Sequence, residues 1–105
     1  MNYGDIEDKY IKANVKGHYH FENAIEVKQV LGFNIKAIRG YKDLSEYNQQ
    51  LAERLVCKFL NGFGLEAREE IKPTSIKREP GQFILKYKRD GNPTYSYLYD
   101  NGLVG

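Results

Sequence analysis

The sequence predicts an α+β fold: a mainly antiparallel sheet with one long amphipathic helix, about residues 44–61, packed on one face. Three observations carry this. Apolar residues recur at helical spacing between Leu44 and Asn61, over a run longer than an ordinary strand. Elsewhere they alternate at period two in shorter runs. Two turn signals, Glu79-Pro80-Gly81-Gln82 and Asp90-Gly91-Asn92-Pro93, divide the C-terminal part into consecutive strands.

In chain order, residues 1–9 come first. They are polar and carry Asp5, Glu7 and Asp8; they are expected to be loosely held, as are residues 100–105. From Tyr10 to Phe21 the pattern alternates. Ile11, Ala13, Val15, Tyr19 and Phe21 share one face, and Lys12, Asn14, Lys16, His18 and His20 share the other. This predicts a half-buried strand with a bend at Gly17. Asn23 to Leu31 fits two patterns. Asn23 with Glu26 makes a capping box and Gly32 a stop, whereas Ile25, Val27, Gln29 and Leu31 alternate. The caps favour a short second helix over 23–31. Asn34 to Arg39 reads as a short strand.

For the long helix, Asp43 supplies the cap and Glu46 closes the box. Tyr47, Leu51, Leu55 and Phe59 form the apolar stripe, and Leu44, Ala52, Val56 and Leu60 widen it. Gly62 and Gly64 end it. Leu65 to Ile71 reads as a strand that Pro73 interrupts. A type II turn at Pro80-Gly81 then joins Ser75–Arg78 to Gln82–Arg89, and Asp90 to Pro93 leads into Thr94–Tyr99.

Composition bounds the rest. A chain of 105 residues suits a single domain, 1–105. With 41% hydrophobic and 29% charged residues it is not of disordered type. A net charge of +2 is too small for a domain-wide nucleic-acid footprint, but the charge is uneven. Between Lys72 and Arg89 six basic residues face one acid, Glu79. Cys57 is the only cysteine, so no internal disulfide forms. No apolar run reaches membrane-spanning length, and the first residues lack an apolar signal core. A cytoplasmic protein without a membrane partner is expected.

Catalytic signatures are lacking, so no enzyme and no cofactor are expected. The strongest candidate for function is the C-terminal hairpin. If its loop has an even number of residues, Phe83, Leu85, Tyr87, Ser96 and Leu98 share one face. Ile84, Lys86, Lys88, Tyr95, Tyr97 and Tyr99 share the other. The first is the natural core side; the second is basic and aromatic. Tyrosine favours exposed sheet for ordinary reasons, and a lysine stem packs well on its ring. The same face can also hold a ligand. Lys77, Arg78, Lys86, Lys88 and Arg89 would meet phosphates while Tyr95, Tyr97 and Tyr99 stack on bases. The reading is therefore a small non-enzymatic module that contacts nucleic acid or a nucleoprotein. The alternative is a small protein-binding adaptor or inhibitor using the same tyrosines, able to form a homo-oligomer through an exposed strand edge.

Other constellations carry less. His18, His20 and Glu22 would share a strand face and could converge on a metal with an open catalytic position, a third reading as a metal-dependent enzyme; two solvent-facing histidines near an acid are the favoured account. Cys57 has no base nearby in the sequence and reads as a small buried side chain. Gly62-Phe63-Gly64 comes after a helix rather than opening one, so it is a stop and not a phosphate loop. Glu66, Glu69 and Glu70 read as a charged strand margin that resists aggregation.

Overall fold

Asn23 and Gly32 settle the ambiguous segment in favour of a helix. A computed structural model describes residues 18–63 and 71–105, and in it α1 spans Ala24–Leu31. The Asn23 side chain accepts from the Glu26 N–H at 3.0 Å. At the other end the Gly32 N–H donates to the Lys28 carbonyl at 2.9 Å. Two orphan backbone groups are thereby satisfied, one at each end. A third, the Ala24 N–H, donates to Glu53 Oε1 at 2.8 Å. That carboxylate belongs to α2, Glu46–Asn61.

Helix α2 starts two residues later than its sequence pattern suggests. Ser45, not Asp43, is the cap, accepting from the Asn48 N–H at 3.2 Å. Asp43 instead closes a 3-10 turn, Tyr41–Asp43. Burial within α2 begins at Leu51 and runs through Ala52, Leu55, Val56, Cys57, Phe59 and Leu60. Tyr47, expected in the stripe, is 70% exposed. The expected strand at 34–39 is also replaced, by a 3-10 turn at Ile35–Ala37 capped by Asn34. Ile35 and Ile38 are buried and Lys36 and Ala37 exposed, a period of three that suits this turn and not a strand.

The sheet has three antiparallel strands in the order β1-β2-β3: Ile71–Glu79, Gln82–Arg89 and Asn92–Tyr99. Pro73 does not break β1, contrary to the expectation. The register slips by one between Pro73 and Ser75, a bulge at Thr74, whose hydroxyl donates to the Lys86 carbonyl at 3.1 Å. A bulge switches which face a strand's odd-numbered residues occupy. Ile71 and Pro73 before it and Ile76 after it are therefore all buried. Of the expected strand at Leu65–Ile71 and the acidic run Glu66, Glu69, Glu70, only Ile71 lies among the described residues.

Helix α2 packs on one side of this sheet, and α1 packs against α2. One continuous cluster joins Val27, Val30, Ile35, Leu55, Val56 and Leu60 to Phe83, Leu85 and Leu98 of the strands. Phe59 meets Tyr87 edge to face, with ring centroids 4.9 Å apart. Residues 10–17 of the first expected strand lie outside the described residues. Its remaining apolar positions, Tyr19 and Phe21, are buried as expected, with rings stacked at 4.9 Å. Asn61 clips this segment to the end of α2. Its Oδ1 accepts from the Phe21 N–H at 2.6 Å, and its Nδ2 donates to the Phe21 carbonyl at 2.9 Å. Replacing Asn61 with alanine leaves both partly buried backbone groups without this partner, so a loss of about 2 kcal/mol is expected. Urea unfolding should show a lower midpoint at unchanged slope.

Both sheet edges carry short additions. Arg39 bridges Ser75 in parallel, with the Ile76 N–H donating to the Arg39 carbonyl at 2.9 Å. Along β3, the residues expected to be loosely held fold back through a turn and pair instead. The Tyr97 N–H donates to the Gly105 carbonyl at 3.0 Å, and the Tyr99 N–H to the Leu103 carbonyl at 2.9 Å. Further along the same edge stands Pro93, which has no N–H to offer. Edge filling and proline both resist unwanted strand pairing.

Candidate nucleic-acid interface

The turn between β2 and β3 decides the candidate face. Asp90 and Gly91 adopt positive φ, 54° and 78°, so a two-residue loop with the twist of a tight hairpin joins Arg89 to Asn92. An Asp-Gly pair is the composition that such a loop requires. Lys86 then stands opposite Tyr95, Ile84 opposite Tyr97, and Gln82 opposite Tyr99. The even-numbered loop makes the expected partition real. Phe83, Leu85, Ser96 and Leu98 are buried beneath the helices, with Tyr87 half-buried among them. Tyr95, Tyr97 and Tyr99 are exposed on the opposite face, which carries neither helix.

On that outer face the cross-strand rows are Lys72–Lys88–Pro93, Ser75–Lys86–Tyr95, Lys77–Ile84–Tyr97 and Glu79–Gln82–Tyr99. The Lys86 ammonium lies 6.0 Å from the Tyr95 ring centroid, at the outer limit of a cation–π contact. Ile84 is half-buried at the centre, an apolar floor between Lys77 and Tyr97. Glu79 sits at the β1–β2 turn, where Gln82 Nε2 donates to its Oε1 at 3.0 Å. The cations thus lie toward the Asp90–Gly91 end and the acid toward the other.

Two of the eight expected residues are not part of this grouping. Arg78 pairs with Phe83, so it points to the helix side. Its guanidinium lies 4.5 Å from the Phe83 ring centroid and donates to both oxygens of Asp100, at 2.6 and 2.8 Å. These hydrogen bonds hold the Asp100 carboxyl below its ordinary range and raise the Arg78 guanidinium. The pair's contribution to stability is present at neutral pH and fades as the pH falls through the depressed Asp100 value. Arg89 pairs with Ile71 and lies 5.7 Å from the Phe63 ring centroid, also on the helix side. The signal was available in the sequence: on one strand Lys88 and Arg89 must point to opposite faces.

Elsewhere the described residues offer little chemistry. His18, His20 and Glu22 are exposed, and no group of three His, Cys, Asp or Glu side chains comes together among the described residues. Cys57 is buried, and burial together with the nearby carboxylates of Glu53 and Glu26 pushes its thiol up to about 12. The thiolate is the reactive form, so the native protein should resist thiol reagents near neutral pH and react fully once unfolded in denaturant. Absorbance of the released thiol chromophore reads both rates. Among the described residues no helix is long and apolar enough to cross a membrane. Compared with protein-family models, with curated proteins and with solved structures, the chain matches none.

Proposed function

We propose that this chain is a small non-enzymatic module that binds nucleic acid across the outer face of its sheet. The observation that carries the reading is the alignment of Lys77, Lys86 and Lys88 with exposed Tyr95 and Tyr97 on a face that neither helix covers. Ammonium groups neutralise phosphates, and phenol rings stack on bases whatever their sequence. Arg78 and Arg89, committed to the helix side, are left out of the contact. The test is a titration of labelled single- and double-stranded DNA and RNA at several salt concentrations. Binding that weakens steeply with salt supports the proposal, and no binding at low salt overturns it.

A protein partner is the second reading, favoured by one observation: Ile84 gives the centre of the face an apolar floor flanked by tyrosine. Such a contact would be insensitive to salt and lost on Tyr97→Ala, because tyrosine anchors commonly dominate interface energy.

A further inference from the structure

We infer that the face takes an extended single strand of nucleic acid, with two successive bases against Tyr95 and Tyr97 and the phosphates toward Lys77, Lys86 and Lys88. This deepens the nucleic-acid reading and rests on it. The spacing comes first. Residues two apart on an antiparallel strand stand roughly 6.7 Å from each other, while stacked bases repeat at about 3.4 Å. A strand that keeps its helical stack cannot place successive bases on successive tyrosines. An extended one can, and it leaves each base a full ring face. A duplex presents such faces only after unstacking.

The charge pattern fixes where the backbone lies. On the outer face every lysine belongs to β1 or β2, and the aromatic row belongs to β3. Lys86 and Tyr95 are a close, non-hydrogen-bonded pair, as are Ile84 and Tyr97. The phosphate chain therefore runs above β2, and the bases reach sideways onto β3.

The site also has an end. Exposure falls along the row, from 58% at Tyr95 through 42% at Tyr97 to 37% at Tyr99. Tyr99 lies against the folded-back tail: a Cβ placed on Gly105 would stand 3.2 Å from its Cε2. The residues across from Tyr99 are Gln82 and the acid Glu79, which repels phosphate. Tyr99 pins the tail and takes no base.

Fluorescence anisotropy with labelled oligonucleotides of about ten residues tests this, using DNA, RNA and the matching duplex in parallel. The expected result is single strands of one or both sugars bound at least about tenfold tighter than the duplex. Tyr95→Ala and Tyr97→Ala should each weaken binding by roughly 5- to 150-fold, the range for a lost stacking platform. Tyr97→Leu keeps the packing over Ile84 while removing the ring, and should lose as much. Tyr99→Ala should change affinity by less than about twofold. Duplex binding as tight as single-strand binding overturns the inference while leaving the nucleic-acid reading intact, and so does a Tyr99→Ala loss equal to that of Tyr97→Ala. Failure of every oligonucleotide to bind overturns both.

Discussion

Gly40→Ala is expected to lower the thermal midpoint of unfolding by roughly 10 °C or more, the equivalent of about 2–4 kcal/mol in a chain of this size. Gly40 lies where the loop before α2 crosses the edge of β1. Its φ is +95°, and a Cβ built there would stand 2.2 Å from the Ile76 carbonyl oxygen. A left-handed backbone costs a non-glycine residue about 1–2 kcal/mol. The contact adds to that, because the obstructing atom is backbone in a paired strand and has no rotamer to escape into. Relief requires parting Arg39 from Ser75, with loss of the bond from the Ile76 N–H to the Arg39 carbonyl. Gly32→Ala supplies the control. Gly32 also has positive φ, 69°, but nothing lies within 4 Å of a Cβ there. It should therefore cost only the conformational part, about 1–2 kcal/mol. Circular dichroism melts of the two variants measure the clash by difference, and equal losses would show that the contact relaxes freely.

The second large effect concerns binding. If three lysines each neutralise one phosphate of a single strand, the logarithm of affinity should fall with the logarithm of salt at a slope near −2. Affinity then drops about twentyfold between 50 and 200 mM salt. Lys86→Glu with Lys88→Glu should bring the slope toward about −0.7 and cut affinity at low salt by more than about tenfold. Neither side chain is buried and both lie on the face opposite the core, so the melt of the double variant should stay close to that of the parent. Arg78→Ala and Arg89→Ala should leave the slope unchanged, since both side chains point to the helix side. A slope that tracks the arginines instead would place the contact on the wrong face of the sheet.

What could be read from the sequence was whatever local chemistry decides. The helical period of residues 51–60, the caps at Asn23 and Gly32, and the Asp90–Gly91 loop each depend on a few neighbouring residues. The loop fixed the parity of the hairpin, and parity placed Tyr95 and Lys86 on one face. The illegible part depends on distant partners. Pro73 reads as a breaker because nothing nearby announces that a bulge at Thr74 will absorb the register change. Ser45 outcompetes Asp43 as cap because Asp43 is held in a preceding turn. Arg78 reads as a surface cation, but Asp100, twenty-two residues away, accepts from both of its terminal nitrogens. Ile35 and Ile38 differ: their spacing of three is legible in the sequence but competes with an alternating pattern over the same residues.

The clip from Asn61 to Phe21 has a kinetic consequence. It joins residues forty positions apart, whereas β1, β2 and β3 succeed one another through two-residue bends. Closing a long loop is entropically late, while a meander can zip outward from its bends within microseconds. The rate-limiting barrier is therefore expected to be crossed with the meander assembled and the clip still open. Weakening the clip should hasten unfolding in proportion to the lost free energy and leave the refolding arm of the chevron almost where it was.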